Sequence, residues 1–128
     1  MGYWVVKTEP STYSYDDLAR EGTTVWDGVK NPVAVKHLRA MQPGDAVMIY
    51  HTGDEKAIVG LAKVVAQDQK LGLPKLTAER PVPRPVTLAA IKADKAFADL
   101  GLVRQGRLSV VPVPASLFQK LLKMSGAA

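Results

Sequence analysis

The sequence contains no cysteine among its 128 residues. A chain without cysteine forms no disulfide framework, no thiolate metal site and no cysteine nucleophile. It also has no apolar run near the ~18–20 residues that a membrane-spanning helix requires. Lys7 and Glu9 interrupt the apolar character of the first ten residues, which is not typical of a signal peptide. These absences predict a cytoplasmic protein with no membrane partner.

Histidine is nearly as scarce, since His37 and His51 are the only two. Neither lies in a zinc-binding motif, so the sequence predicts no metal site. Its glycines do not form a phosphate-binding loop between a strand and a helix, and no serine occupies a nucleophile-elbow motif. The sequence therefore indicates neither a cofactor nor a serine-hydrolase reaction.

Positive charge is in modest excess, because 17 lysine and arginine residues face 12 acidic residues and leave a net charge of +5. A basic balance favours an anionic partner, since neutralising phosphates releases condensed counterions. No block of five or six basic residues occurs, so a nucleic-acid surface has to be assembled by the fold. The length suits one compact domain over residues 1–128, with no repeat or linker visible.

Local signals predict short helices between strands. Residues 3–8 form a β-branched and aromatic segment that ends before Pro10, which predicts a buried strand. Ser14 and Asp17 have capping-box spacing and predict a helix over residues 15–21. Asn31 predicts the cap of a second helix, because a proline follows at the first helical position.

The middle of the chain predicts a hairpin of strands over residues 46–51 and 57–65. Gly60 lies inside the second strand, which indicates a bend of the sheet or a close approach by another backbone. Residues 66–75 are predicted to be a loop and residues 76–80 a third strand. Alternating prolines over residues 81–85 exclude a central strand and indicate an extended surface arm. Hairpin strands with short, irregularly placed helices indicate the α+β class.

Polar side chains gather where three of the predicted extended segments end. Such ends are where small folds build binding sites. The residue types suit a planar heterocycle: Trp26 offers a stacking face, Asp27 and Glu9 accept hydrogen bonds, and Lys7 neutralises a phosphate. Because turn-forming residues follow it, we expect Trp26 at the rim of a site. The three groups are Lys7-Thr8-Glu9, Trp26-Asp27 with Asn31, and Tyr50-His51-Thr52.

These groups, together with Leu-Arg-Ala-Met-Gln-Pro-Gly-Asp, Gly-Leu-Ala-Lys-Val and Leu-Val-Arg-Gln-Gly-Arg-Leu-Ser-Val, closely resemble the EVE domain family. The resemblance covers nearly the whole chain in the same order. It implies a PUA-like fold, which is a small, strongly bent mixed β-barrel flanked by short α-helices. It also implies recognition of a modified nucleobase, such as a modified cytosine or a methylated adenine, in an aromatic and polar pocket.

The resemblance carries over residue by residue. It places Lys7, Thr8 and Glu9 at the edge of the pocket and Trp26 with Asp27 in its wall and floor. It implies base contacts for Asn31, His51 and Thr52, and Tyr50 is a further aromatic candidate. Lys30 stands where the family more usually has arginine, and with Lys36 and Arg39 it is expected to hold phosphates. Residues 66–75 depart from the family, since this region is shorter and has no aromatic residue.

Two other functions stay open beside a non-catalytic reader of DNA, RNA or free nucleotides. The first is a small amidohydrolase acting on a modified nucleoside, as in ASCH-type relatives, with Lys7, Thr8 and Glu9 as working groups. Adjacent strand residues point to opposite faces, which argues against Lys7 and Thr8 sharing one pocket. The second is a protein-interaction scaffold.

Overall fold

The computed structural model describes all residues, 1–128. No helix in it is long and apolar enough to cross a membrane. The strands are β1 (Tyr3–Thr8), β2 (Thr23–Val25), β3 (Ala46–His51), β4 (Ala57–Asp68), β5 (Leu73–Thr87) and β6 (Val110–Pro112). The helices are α1 (Tyr15–Glu21), α2 (Pro32–Ala40), α3 (Leu88–Lys92), α4 (Gly101–Arg104) and α5 (Ala115–Ser125), with a 3₁₀ turn at Lys95–Phe97.

All six strands form one mixed sheet in the order β2-β5-β4-β3-β1-β6. β1 runs parallel to β3, and every other neighbouring pair is antiparallel. The α+β class is therefore confirmed. The hydrogen-bonded ladder is open, because the two end strands, β2 and β6, do not pair with each other.

The centre of the sheet is buried on both faces. Val5 and Val6 are adjacent on β1 and are both fully buried, as are Met48 and Ile49 on β3. Consecutive strand residues point to opposite faces, so burial of both shows that helices and loops cover the two sides. This arrangement leaves the strand ends as the open part of the sheet.

Gly60 lies where β4 bends. The β4–β5 register shifts between Ile58 and Gly60, a bulge that bends a strand and increases its twist. The ring of Tyr15 packs directly over the glycine, since a Cβ built at position 60 would overlap the ring carbons. The Tyr15 hydroxyl donates a 2.7 Å hydrogen bond to the Leu61 carbonyl oxygen. The predicted bend at Gly60 is thus confirmed, and the close approach there is made by a side chain, not by another backbone.

Two predictions for the middle of the chain are wrong. Residues 66–75 are not a loop, because β4 continues to Asp68 and β5 begins at Leu73, which leaves only a short turn. The proline segment is extended and is not a central strand, as predicted, but it is part of β5 and not a surface arm, because Pro81 pairs with Gly60 of β4. β2 pairs with β5 only at residues 75–77. The prolines therefore lie where β5 is an edge strand, and no neighbouring strand on that side requires the backbone N–H that proline lacks.

Candidate functional site

A cleft of about 700 Å³ opens at the ends of β1 and β2 and at the start of α2. Its volume is within the range of roughly 300–1,000 Å³ that is typical of ligand pockets. Fourteen residues line it: Lys7, Thr8, Glu9, Thr12, Tyr13, Thr24, Val25, Trp26, Asp27, Gly28, Val29, Lys30, Asn31 and Ser109. Two of the three polar groups expected from the sequence therefore meet in one place.

Trp26 forms part of the cleft wall and is only 6% exposed. Its backbone N–H donates a 2.9 Å hydrogen bond to the Pro74 carbonyl oxygen, which continues the β2–β5 pairing by one residue. The expectation that Trp26 lies at the rim is wrong, because the sheet holds its main chain and the core covers most of its ring. A ligand has to enter the cleft to reach the indole.

Tyr13 is a second aromatic residue in the cleft, and sequence reasoning missed it. Its ring meets Trp26 edge-on, with 5.9 Å between centroids. Its hydroxyl donates a 2.5 Å hydrogen bond to Glu21, and burial followed by this contact raises the pKa of Tyr13 to about 12. Tyr13 precedes the Ser14 cap, where an apolar residue usually packs on its own helix, so its sequence signal indicated only a helix start.

Thr8 and Glu9 shape the β1 side of the cleft. The Thr8 hydroxyl donates a 2.6 Å hydrogen bond to the Tyr13 carbonyl oxygen and holds the turn that carries Tyr13. Glu9 accepts hydrogen bonds from the Ser11 backbone N–H at 3.1 Å and from its hydroxyl at 2.9 Å. The Ser11 N–H is the main cause that lowers the pKa of Glu9. Glu9 is therefore a carboxylate at neutral pH and an acceptor for donors on a ligand.

Asn31 contributes to both the cleft and the helix beside it. Its side-chain oxygen caps α2 by accepting hydrogen bonds from Val33 N–H at 2.9 Å and Ala34 N–H at 3.1 Å. The amide nitrogen is left as the donor available to the cleft. Asp27 and Lys30 line the same region as exposed side chains, so the cleft mouth carries one charge of each sign.

Lys7 lies at the boundary of the cleft. Its ammonium group donates a 2.8 Å hydrogen bond to the Gly106 carbonyl oxygen and lies 5.6 Å from the centroid of the Tyr50 ring. Burial lowers the pKa of Lys7. Both Lys7 and Thr8 line the cleft, so the expectation that strand alternation separates them is wrong at this strand end.

Five of the residues predicted from sequence lie outside the cleft lining. Lys36 and Arg39 are on the exposed side of α2, and Tyr50 is only 3% exposed. Thr52 touches the site through Glu9, with 3.4 Å between their side-chain oxygens. His51 is the fifth.

His51 links β3 to α1 instead of facing the cleft. Its Nε2 accepts a 2.9 Å hydrogen bond from the Tyr15 backbone N–H, and its Nδ1 lies 2.7 Å from a Glu55 carboxylate oxygen. Because a backbone N–H can only donate, Nε2 carries no proton and Nδ1 donates to Glu55. No group of three or more histidine, cysteine or acidic side chains is placed to hold a metal ion.

Solved structures of similar proteins match almost the whole fold. The NMR structure of a protein from Rhodopseudomonas palustris is 38% identical, with a TM-score of 0.89 over 98% of this chain and 94% of that chain. The crystal structure of human thymocyte nuclear protein 1 in complex with DNA containing 5-methylcytosine is 26% identical, with a TM-score of 0.85 over 98% of both chains. An ASCH protein from Zymomonas mobilis, 16% identical with a TM-score of 0.58 over 94% of each chain, shares the fold alone.

Curated relatives match over a shorter segment. Thymocyte nuclear protein 1 of Rattus norvegicus is 38% identical over 77 residues, which is 51% of this chain and 34% of the rat protein. The chain therefore spans only part of the length of the curated relatives it matches. The model of the EVE domain matches residues 2–124, nearly the full chain. With the cleft formed by the motifs that resemble this family, the chain belongs to the EVE domain family.

Proposed function

We propose that this protein is a non-catalytic nucleic-acid-binding module that takes a modified base, a modified cytosine or a methylated adenine, into its cleft. The observation that carries the proposal is the presence of an indole wall and two carboxylates, Trp26 with Glu9 and Asp27, in one open cleft. The human relative whose structure contains 5-methylcytosine DNA supports the same class of ligand.

The energetics favour a base that is already unpaired or easily extruded. Flipping a base out of a duplex costs a few kcal/mol. Stacking on an aromatic side chain such as Trp26 contributes roughly 1–3 kcal/mol and offsets much of that cost. Burying one extra methyl group adds about 0.8 kcal/mol, which is about a fourfold preference for the modified base. Stronger discrimination requires hydrogen bonds to Glu9, Asp27 and Asn31 that another base leaves unmet.

The finer description of the fold belongs to the same proposal. We infer a PUA-like, strongly bent sheet that curls into a small barrel-like shape even though its end strands do not pair. Bulges in the β3–β4 and β4–β5 ladders support the bending, because each one increases local twist. We also keep the prediction that the module works in the cytoplasm, in keeping with its lack of cysteine.

A hydrolase reading has one observation in its favour, because Lys7 and Thr8 line one cleft. Their polar atoms are committed elsewhere, however. The Thr8 hydroxyl donates to the Tyr13 carbonyl oxygen and the Lys7 ammonium donates to the Gly106 carbonyl oxygen. A nucleophilic hydroxyl has to give its proton to a base, and a carbonyl oxygen is not one. Acid release from an acylated cytidine that is abolished in Thr8→Ala would favour the hydrolase instead.

The proposal is tested by fluorescence anisotropy with labelled oligonucleotides that carry one 5-methylcytosine, cytosine, N6-methyladenine or adenine. We expect wild-type protein to prefer a modified base. In Trp26→Leu the affinity for that oligonucleotide should fall about 5- to 150-fold, the loss expected from removing the stacking face.

A second variant guards against a folding defect, because Trp26 is largely buried. Asp27→Ala changes an exposed cleft residue and is expected to reduce discrimination between bases, while Asp16→Ala, an exposed carboxylate on α1 outside the cleft, should not. Equal binding of all four oligonucleotides by wild-type protein would overturn the proposal. The proposal would also be overturned if a folded Trp26→Leu variant and Asp27→Ala both discriminated between modified and plain bases as well as wild-type protein does.

A further inference from the structure

A second, smaller hollow lies on the other side of Lys7. Its volume is about 180 Å³, below the roughly 300–1,000 Å³ of a typical small-molecule pocket. It therefore suits a single chemical group better than a whole nucleotide. Tyr50 and Thr52, which do not line the cleft, line this hollow together with Lys7, Lys56 and Lys92.

The hollow collects lysine side chains that form no ion pair. Three of its lining residues are lysines, and none of them takes part in any of the four ion pairs of the structure. Lys56 and Lys92 are exposed, whereas Lys7 is half-buried with its ammonium group close to the Tyr50 ring. Three lysines that line a small concavity favour an anion with several acceptor oxygens.

The backbone at Lys56 is an independent sign of a built site. Lys56 is the only non-glycine residue with positive φ, at +46°. Such a conformation costs a lysine of order 1 kcal/mol or more, which a glycine would avoid. The Lys56 carbonyl oxygen accepts a 2.8 Å hydrogen bond from the Leu88 N–H at the start of α3, the helix that ends at Lys92. The fold thus fixes one lysine beside the short helix that carries another.

We propose that this hollow binds a backbone phosphate of the nucleic-acid strand whose base occupies the cleft. The inference rests on the proposed function, since it assigns the strand's path. Lys7 lines both cavities, and Thr52 lines the hollow while touching Glu9 of the cleft. A base and the phosphates beside it are joined through one sugar, so adjacent cavities with a shared wall match their connectivity. Lys56 and Lys92 then join Lys30 as phosphate contacts.

The test is the salt dependence of oligonucleotide binding. A Lys56→Gln/Lys92→Gln double variant removes two cations without changing any cleft residue, and Lys70→Gln/Lys123→Gln removes two exposed cations outside both cavities. Each phosphate contact contributes about 0.7–0.9 to the slope of log K against log salt. We expect the first variant to lose at least about 0.7 of slope and to weaken modified and plain oligonucleotides by the same factor. The control variant should keep the wild-type slope.

Two outcomes overturn the inference. A wild-type slope in the Lys56/Lys92 variant means that no phosphate sits there, and an equal loss in the control means that net charge alone is responsible. A wild-type protein without base preference refutes the proposed function, but the slope comparison still reports on the hollow.

Inorganic phosphate titrated into ¹⁵N-labelled protein provides a third arm. A strand phosphate is supported by two results together: chemical-shift changes at the amides of Lys56 and Leu88, and a smaller salt dependence of oligonucleotide binding in the Lys56/Lys92 variant. The same shifts without any slope loss would assign the hollow to free phosphate and overturn the inference.

Discussion

Substitutions at Asn31 can separate an effect on stability from an effect on ligand binding. Its side-chain oxygen accepts two backbone N–H groups at the start of α2, at 2.9 and 3.1 Å. Both partners are donors, so the atom facing the helix has to be the oxygen, and the NH₂ group is left for the cleft. One side chain therefore stabilises a helix with one atom and can donate to a base with another. Substitutions that remove one role at a time distinguish them.

The expected magnitudes follow from these two roles. Asn31→Ser keeps a hydroxyl cap, and serine and asparagine cap helices about equally, so the free energy of unfolding should change by less than about 0.5 kcal/mol. The lost amide donor removes roughly 0.5–1.5 kcal/mol per hydrogen bond, or about 2- to 13-fold in affinity for the preferred oligonucleotide. Asn31→Ala should show the same loss of affinity and also lose about 1 kcal/mol of stability.

Urea unfolding measures the stability term, and fluorescence anisotropy with the preferred oligonucleotide measures the binding term. Wild-type affinity in Asn31→Ser would refute a contact between the Asn31 amide and the base. If Asn31→Ser were as unstable as Asn31→Ala, the cap itself would be misassigned. Asn31→Asp keeps the cap, and its added carboxylate should weaken binding further by repelling phosphates.

Three more predictions follow from close contacts. Gly60→Ala should lower stability by about 1–3 kcal/mol in urea unfolding, because the new Cβ overlaps the buried Tyr15 ring; a change below about 0.5 kcal/mol would contradict this packing. Gly53→Ala, at φ +78° and with its Cβ 2.8 Å from a Glu9 oxygen, should weaken oligonucleotide binding measured by anisotropy; wild-type affinity would refute a role for Glu9's position. Asp45→Asn should flatten the acid dependence of stability between pH 7 and 3, as measured by urea unfolding at each pH, and an unchanged profile would refute it.

The sign of the Asp45 effect comes from its surroundings. Burial alone would raise the pKa of Asp45, but hydrogen bonds from Gln42 N–H, Gly2 N–H and the Trp4 indole lower it overall. A lower pKa in the folded state stabilises the protein above the unfolded value of about 3.9, and this contribution is lost as pH falls through the folded value. The amide introduced by Asp45→Asn does not titrate in this range. Its NH₂ group would also lie against N–H donors that now bind the carboxylate oxygens.

Local chemistry was enough to predict the first two helices. The capping box of Ser14 and Asp17 forms as expected, and α1 occupies the predicted residues 15–21. The Asn31–Pro32 pair likewise begins α2. Both signals act over three or four residues, so the fold needs no distant contact to realise them. This is why both helices were predictable.

Features that depend on residues distant in the sequence could not be predicted in this way. The prolines of residues 81–85 exclude a central strand, and the sequence does not show that β2 ends early and leaves that part of β5 as an edge strand. The strand-end rule found Thr8, Trp26 and Asn31 but failed for His51, which turns toward α1 to accept the Tyr15 N–H. Tyr13 reaches the cleft because the Thr8 hydroxyl holds its turn, a contact that no spacing reveals.

Under the proposed function, the distribution of charge gives the cleft and the hollow different ligand preferences. Glu9 is held as a carboxylate by Ser11, and it lies with Asp27 in the cleft. These two carboxylates offset Lys7 and Lys30, which also line the cleft, so the cleft has no net charge to attract a phosphate and offers acceptors to a neutral, donor-bearing heterocycle. The unpaired lysines 56 and 92 lie in the hollow across Lys7, where a phosphate is favoured. Under the proposed function, this difference in charge would favour one register of the strand, because exchanging base and phosphate would move the phosphate away from Lys56 and Lys92 and toward Glu9 and Asp27.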